Sequence, residues 1–328
     1  MRRTVSAAAL ALSASVVLAG CGSDDAATSG SGTGGTGGEL RSITVATAPI
    51  ADYAPLYVGV EQGFFEDHGL SVEFASGRVG TETITSVLSG TNEFAGVAVP
   101  PLLVAQSRGL AVSLLTPAGV APGPDDASGA RLLATAASGI DSVDDLAGKT
   151  IAVNALQAQA ELQARLAIES GGGDPESVQF VEVPFPEMPS ALERGDVDAI
   201  TAVEPFLSTA LGAGAVPVAD LDRAVPQGTP STAFFTSAQL AQSDPELVEQ
   251  FKAAMIESLE FAAANPDAVR AIVPEYSEVT PEIAAQMALP VYGSTVDRSG
   301  VESVVEAMQK FGFLDAEPDI DAMLQNAA

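Results

Sequence analysis

Gly90-Thr91-Asn92-Glu93-Phe94-Ala95-Gly96-Val97-Ala98-Val99-Pro100 and Gly195-Asp196-Val197-Asp198-Ala199-Ile200-Thr201-Ala202-Val203-Glu204-Pro205 are the two stretches whose comparison decides the fold. In each, a glycine precedes a proline by ten positions, an acidic residue follows the glycine by three, and a leucine (Leu102, Leu207) follows the proline by two. The apolar run between is what a strand buried on both faces of a parallel sheet requires. The repeat divides the chain into two similar halves of about 105 residues.

Outward from these runs, β-rich segments alternate with helical patterns. The first half predicts strands over 43–46, 71–74 and 93–99 with helices over 54–62 and 81–89. The second predicts strands over 150–153, 179–183 and 198–203 with helices over 157–170, closed by Gly171-Gly172-Gly173, and 188–194. Each half is a βαβαβ unit, the pattern of parallel α/β layers. Beyond them, Asp244-Pro245 and Thr280-Pro281 are helix starts, an N-cap followed by proline. Leu247, Val248, Phe251, Met255 and Leu259 form an apolar stripe, read as core packing against the first lobe.

In such sheets the ligand side is formed by the loops after the strand C-termini and the helix starts that follow. Asp52, Tyr53, Arg78, Thr81 and Val99 occupy those loops in the first half. Asn154, Phe185, Glu187, Glu204 and Phe206 occupy them in the second. Each has a plainer reading: Asp52 as a helix cap, Tyr53 or Phe185 as core, Arg78 as surface charge. Arg78, bordered by Gly77 and Gly80, suits a carboxylate or sulfonate through paired N–H donors. Asp52, Glu187 and Glu204 oppose a bare inorganic anion and favour a ligand that also carries N–H or cationic donors.

Asp and Glu number 43 against 14 Lys and Arg, a formal charge of −29, so nucleic acid is not an expected partner. One His and one Cys exclude an internal disulfide and a Cys/His metal cluster, and no cofactor is expected. A nucleophile–histidine site would need His68, in Phe64-Phe65-Glu66-Asp67-His68-Gly69, which reads instead as an exposed helix end closed by Gly69.

Arg2 and Arg3, the apolar residues 5–18 and Leu18-Ala19-Gly20-Cys21 have the form of a secretory signal ending in a lipobox, with Cys21 as the lipidated residue. The alternative is an ordinary cleaved signal with an incidental thiol. The apolar stretch is short for a membrane span, which takes about 20 residues. Residues 22–39, nearly all Gly, Ser, Thr, Ala and Asp, predict a flexible tether. The expected address is the outer face of a bacterial cytoplasmic membrane, reached through a lipid anchor.

Pro49-Ile50-Ala51-Asp52-Tyr53-Ala54-Pro55-Leu56-Tyr57, Glu61-Gln62-Gly63-Phe64-Phe65, Asp145-Leu146-Ala147-Gly148-Lys149 and Leu192-Glu193-Arg194-Gly195-Asp196-Val197-Asp198-Ala199, in this order, resemble the nitrate/sulfonate/taurine and thiamine-pyrimidine type of ABC solute-binding proteins. The resemblance implies a type II periplasmic-binding-protein fold, two α/β lobes joined by two crossover strands with a ligand cleft between them. It places one crossover near residues 117–136 and the return near 231–237, with lobe 1 formed by 40–135 plus 230–328 and lobe 2 by 136–229. It further implies ligand contacts at the positions of Asp52, Tyr53, Arg78, Thr81, Asn154 and Glu204. The expected function is capture of a small polar organic solute, a sulfonate- or taurine-like or a nitrate/bicarbonate-family ligand, by a monomer through hinge closure, and its delivery to an ABC permease with its ATPase.

Three alternatives stand beside it: a binder of thiamine-precursor pyrimidines, a lipid-anchored solute sensor without transport, and an enzyme similar to the pyrimidine synthase of the same superfamily. The last needs an active-site histidine and a cysteine-rich motif, and this chain, whose one His reads as a helix end, offers neither.

Overall fold

The structure is a computed structural model and describes residues 39–77 and 80–328. The expected signal segment, Cys21 and all but the last residue of the tether lie outside the described residues. In chain order the strands are β1 (Arg41–Thr47), β2 (Leu70–Ser76), β3 (Phe94–Ala98), β4 (Val112–Pro117), β5 (Gly119–Val120), β6 (Ala130–Thr135), β7 (Thr150–Val153), β8 (Gln179–Glu182), β9 (Ala199–Val203), β10 (Ala215–Asp220), β11 (Thr232–Ser237) and β12 (Val291–Tyr292).

Ten of these strands build two five-stranded sheets of the same design, β2-β1-β3-β11-β4 and β8-β7-β9-β6-β10. In each, three parallel strands meet an antiparallel fourth, and the fifth, antiparallel to the fourth, runs in the direction of the first three. The repeat holds down to single hydrogen bonds. Glu93 accepts the Thr44 N–H at 2.8 Å, and Asp198 accepts the Thr150 N–H at 2.8 Å. Gly90 and Gly195 take φ of 74° and 73°, a left-handed turn into the strand that glycine adopts without strain.

β6 pairs with β9 and β10, so residues 130–135 belong to the second sheet and the lobe boundary expected after 135 lies before 130. The βαβαβ pattern does not include this strand, and a short apolar run such as Ala130–Thr135 carries no mark of the sheet it will join. The two crossings run side by side as an antiparallel ribbon. Ala118 N–H donates to Thr232 O at 2.8 Å, Ser231 N–H to Gly119 O at 3.0 Å and Ala121 N–H to Thr229 O at 2.8 Å. Such a paired ribbon is a natural hinge, because a few terminal residues can absorb the rotation of two otherwise rigid bodies.

The first lobe is held by the long helix Pro245–Ala264, started by Asp244, whose side chain accepts the Leu247 N–H at 3.2 Å. The stripe of Leu247, Val248, Phe251, Met255 and Leu259 is buried against the first sheet, as its spacing predicts. Phe251 stacks on Phe94 with ring centroids 3.9 Å apart and also meets Phe65 and Phe234. The second lobe packs Ile151, Ala164 and Ile168 on one face of its sheet, and Leu133, Met188, Leu192 and Ile200 on the other. The lobes also touch directly. Lys310 of the helix Arg298–Lys310 pairs with Glu169 of the helix Gln159–Ser170, and Leu162 of the latter enters the core of the first lobe. Among the described residues no helix is long and apolar enough to cross a membrane.

Candidate functional site

A cavity of about 90 Å³ lies between the lobes and draws its walls from both. β1 ends at Thr47, and the chain turns through Ala48 and Pro49 into a short 3-10 turn, Ala51–Tyr53, that brings Asp52 to the wall. Two tyrosines brace this turn: Tyr276 donates to Ile50 O at 3.2 Å and Tyr292 to Ala51 O at 2.9 Å. The Thr232 hydroxyl donates to Asp52 Oδ1 at 2.9 Å while accepting the Gly119 N–H at 2.8 Å. Glycine at 119 leaves room for this carboxylate, since a Cβ there would stand 2.3 Å from Asp52 Oδ1. Gly96 plays the same part for Tyr53, whose ring would lie 2.5 Å from an added Cβ. Tyr53 rests edge-on against Phe234, centroids 5.6 Å apart.

The second lobe supplies Asn154, Gln159, Gln163, Phe185 and Asp222 to the cavity. Asp222, on the return crossing, is fixed by backbone: its Oδ2 accepts the Gly129 N–H at 2.9 Å and the Ala130 N–H at 3.0 Å. Ser128 Oγ, whose shortest bond goes to Asp220 Oδ1 at 2.7 Å, lies 3.2 Å from the same oxygen, whereas Gln163 Nε2 reaches Oδ1 only at 3.5 Å. Burial raises the Asp52 carboxyl to about 6, with the Asp222 charge adding to the rise and the Thr232 bond opposing it. Burial likewise raises Asp222, where the neighbouring Asp220 is the carboxylate that adds. No described residue lining the cavity is Lys, Arg or His.

Of the residues marked from sequence, Asp52, Tyr53, Asn154 and Phe185 meet in this cavity. Thr81 opens the helix Thr81–Leu88 and lines a neighbouring groove that shares Gly80 and Asn154 with the cavity. Val99 lies beneath the wall, fully buried, and its N–H is taken by Ser231 O. Glu187 is exposed at the start of the helix Met188–Arg194 and does not line the cavity. Glu204 is buried but turned to protein, accepting from Ser208 Oγ at 2.9 Å and from Ala288 N at 3.0 Å. Phe206 stands behind Phe185, the two rings nearly parallel at 6.2 Å. Arg78 lies outside the described residues. His68 ends the short helix Phe64–Asp67, with Nε2 3.5 Å from Glu257, and is not part of the cavity.

Thr232, Asp222, Gln159 and Gln163 were not marked from sequence. The first two lie on crossing segments, which a search confined to strand-end loops passes over. The glutamines sit four apart on one helix face, a spacing that was available to find them.

The family described as NMT1/THI5 like matches residues 50–269. The chain belongs to this family. Among relatives, the formylaminopyrimidine-binding protein of Halalkalibacterium halodurans is 28% identical over 46% of this chain and 44% of its own length. The taurine-binding periplasmic protein of Escherichia coli is 24% identical over 69% of this chain and 68% of its own. The match to the first of these spans less than half of that relative. The aliphatic sulphonate binding protein SsuA of Escherichia coli superposes with a TM-score of 0.70 at 15% identity, covering 87% of this chain and 92% of that one. At that identity the likeness shows the fold, a periplasmic-binding-protein fold of two α/β lobes, as the paired sheets require.

Proposed function

We propose that this protein is the solute-capturing component of an ABC importer, a lipoprotein held by Cys21 that binds one small solute as a monomer without converting it. The observation that carries this reading is the convergence of side chains from both lobes on one cavity beside a two-stranded hinge. A solute touching both walls stabilises the closed arrangement by its extra contacts there, and closure gives the permease a distinct surface to recognise. Family membership and the binding proteins among its relatives support the same reading. The solute makes its contacts through Asp52, Tyr53, Asn154 and Phe185.

Native mass spectrometry tests the capture step. The full chain, purified gently from the cells that produce it, is expected to carry one small molecule per chain that denaturation releases. A chain that remains free of adducts after incubation with a deproteinised extract of those cells would speak against solute capture.

A further inference from the structure

The cavity carries acid and amide but no described base. Asp52 from the first lobe and Asp222 from the second are both in its wall, and each is held in place by donors on one oxygen. Two desolvated carboxylates facing one small space repel each other, and the arrangement calls for a partner that brings positive charge. A second observation points into the same space. Gln159, the first residue of the helix Gln159–Ser170, lines the cavity, and both its amide nitrogen and its amide oxygen are fully buried with no hydrogen-bond partner in the protein. Buried amides are nearly always satisfied, so an unpartnered one in a cavity wall marks where a ligand N–H can donate to its Oε1.

We propose that the solute is a small organic cation with a flat N–H-bearing head, an amidinium or guanidinium, seated between Asp52 and Asp222 and read along one edge by Gln159. A planar head with several N–H groups satisfies two carboxylates at once with directed, charge-assisted bonds. The mainly apolar remainder of the wall, with Tyr53 and Phe185, covers the body of the molecule. An oxyanion in the same place would leave both carboxylates without a counter-charge. This assignment rests on the solute-capture reading and narrows it to a class.

The test is calorimetric titration of the full chain in detergent at pH 7.5 and 0.15 M salt with three probes that share a ring and differ in the head: benzamidine, benzamide and benzenesulfonate. The salt suppresses diffuse attraction of cations to an acidic surface. Benzamidine is expected to bind one per chain, at least tenfold tighter than either of the others. Asp52→Asn and Asp222→Asn are each expected to weaken benzamidine at least tenfold, and Gln159→Ala about threefold. Glu187→Gln, outside the cavity, is expected to leave affinity unchanged. Should a variant fail to fold, the order of the three probes on the unmodified chain still decides. Benzenesulfonate or benzamide binding as tightly as benzamidine overturns the proposal, as does a benzamidine preference that survives both Asp substitutions, or binding by none of the three. In each of those outcomes solute capture is judged separately, by the released molecule in native mass spectrometry.

Discussion

The Thr232 hydroxyl stands 2.9 Å from Asp52 Oδ1 and, because it already accepts the Gly119 N–H, its proton is committed to that carboxylate. Thr232 comes from β11, the strand that returns from the second lobe, so the acid of the first loop is set by a residue 180 positions away. The hinge ribbon and the cavity wall are therefore one piece of structure: moving the ribbon moves the donor that orients Asp52.

Asp52 makes stability depend on pH. Its folded value is about 6 against an ordinary 3.8, so between these values the native chain holds a proton that the unfolded chain has lost. Stability then falls as pH rises through this window, by about 3 kcal/mol in all, with no penalty below about pH 4 and the full penalty above about pH 6. Asp52→Asn keeps an acceptor for Thr232 and removes the ionisation. Urea melts are expected to show the variant gaining on the native chain by about 1–3 kcal/mol between pH 4 and pH 7.5, and a difference that stays constant with pH would refute the assignment.

Gly119→Ala places a methyl 2.3 Å from Asp52 Oδ1 and 3.1 Å from Thr232 Oγ1. The carboxylate must turn away while the sheets stay intact. Solute affinity is expected to drop at least tenfold, with the circular dichroism spectrum retained; undiminished affinity would show that Asp52 does not contact the solute.

Glu204 joins the lobes, accepting from Ser208 on its own side and from the Ala288 N–H of the other. Truncation by Glu204→Ala frees that donor and removes a contact made across the cleft. The solute should dissociate about three- to tenfold faster with little change in association rate, because closure follows encounter. Stopped-flow traces separate the two rates, and a change confined to association would contradict the assigned role.

Phe251 sits at the centre of the first lobe's core. It is fully buried and touches Phe94, Phe65 and Phe234. Phe251→Ala is expected to cost about 3–5 kcal/mol, read as a shift of the urea midpoint at constant slope. A loss under 1 kcal/mol would mean the cluster closes over the gap.

Much of the architecture was legible because each half repeats a pattern with physical content. Glu93 and Asp198 each close a strand pair by accepting an N–H, and Gly90 and Gly195 each need a left-handed turn. The antiparallel fourth strands were not legible: β6 and β11 join sheets by contacts distant in sequence, and their composition suits either lobe. The site divided the same way. Asp52, Tyr53, Asn154 and Phe185 follow from strand-end loops, but Glu204, two residues from Phe206 on such a loop, turns inward to Ala288. Only tertiary packing decides that direction. Asp222 and Thr232 sit on crossings whose course depends on how the two lobes dock.

Capture requires that the two lobes close on a solute held between them. Spin labels at Ser89→Cys and Glu193→Cys, exposed positions on the first and second lobes, in a Cys21→Ser background, report the separation of the lobes directly. With the molecule recovered by native mass spectrometry, the distance distribution should collapse to one short, narrow peak, and it should widen and lengthen when that molecule is removed. A distribution that is the same with and without saturating solute would contradict capture by closure.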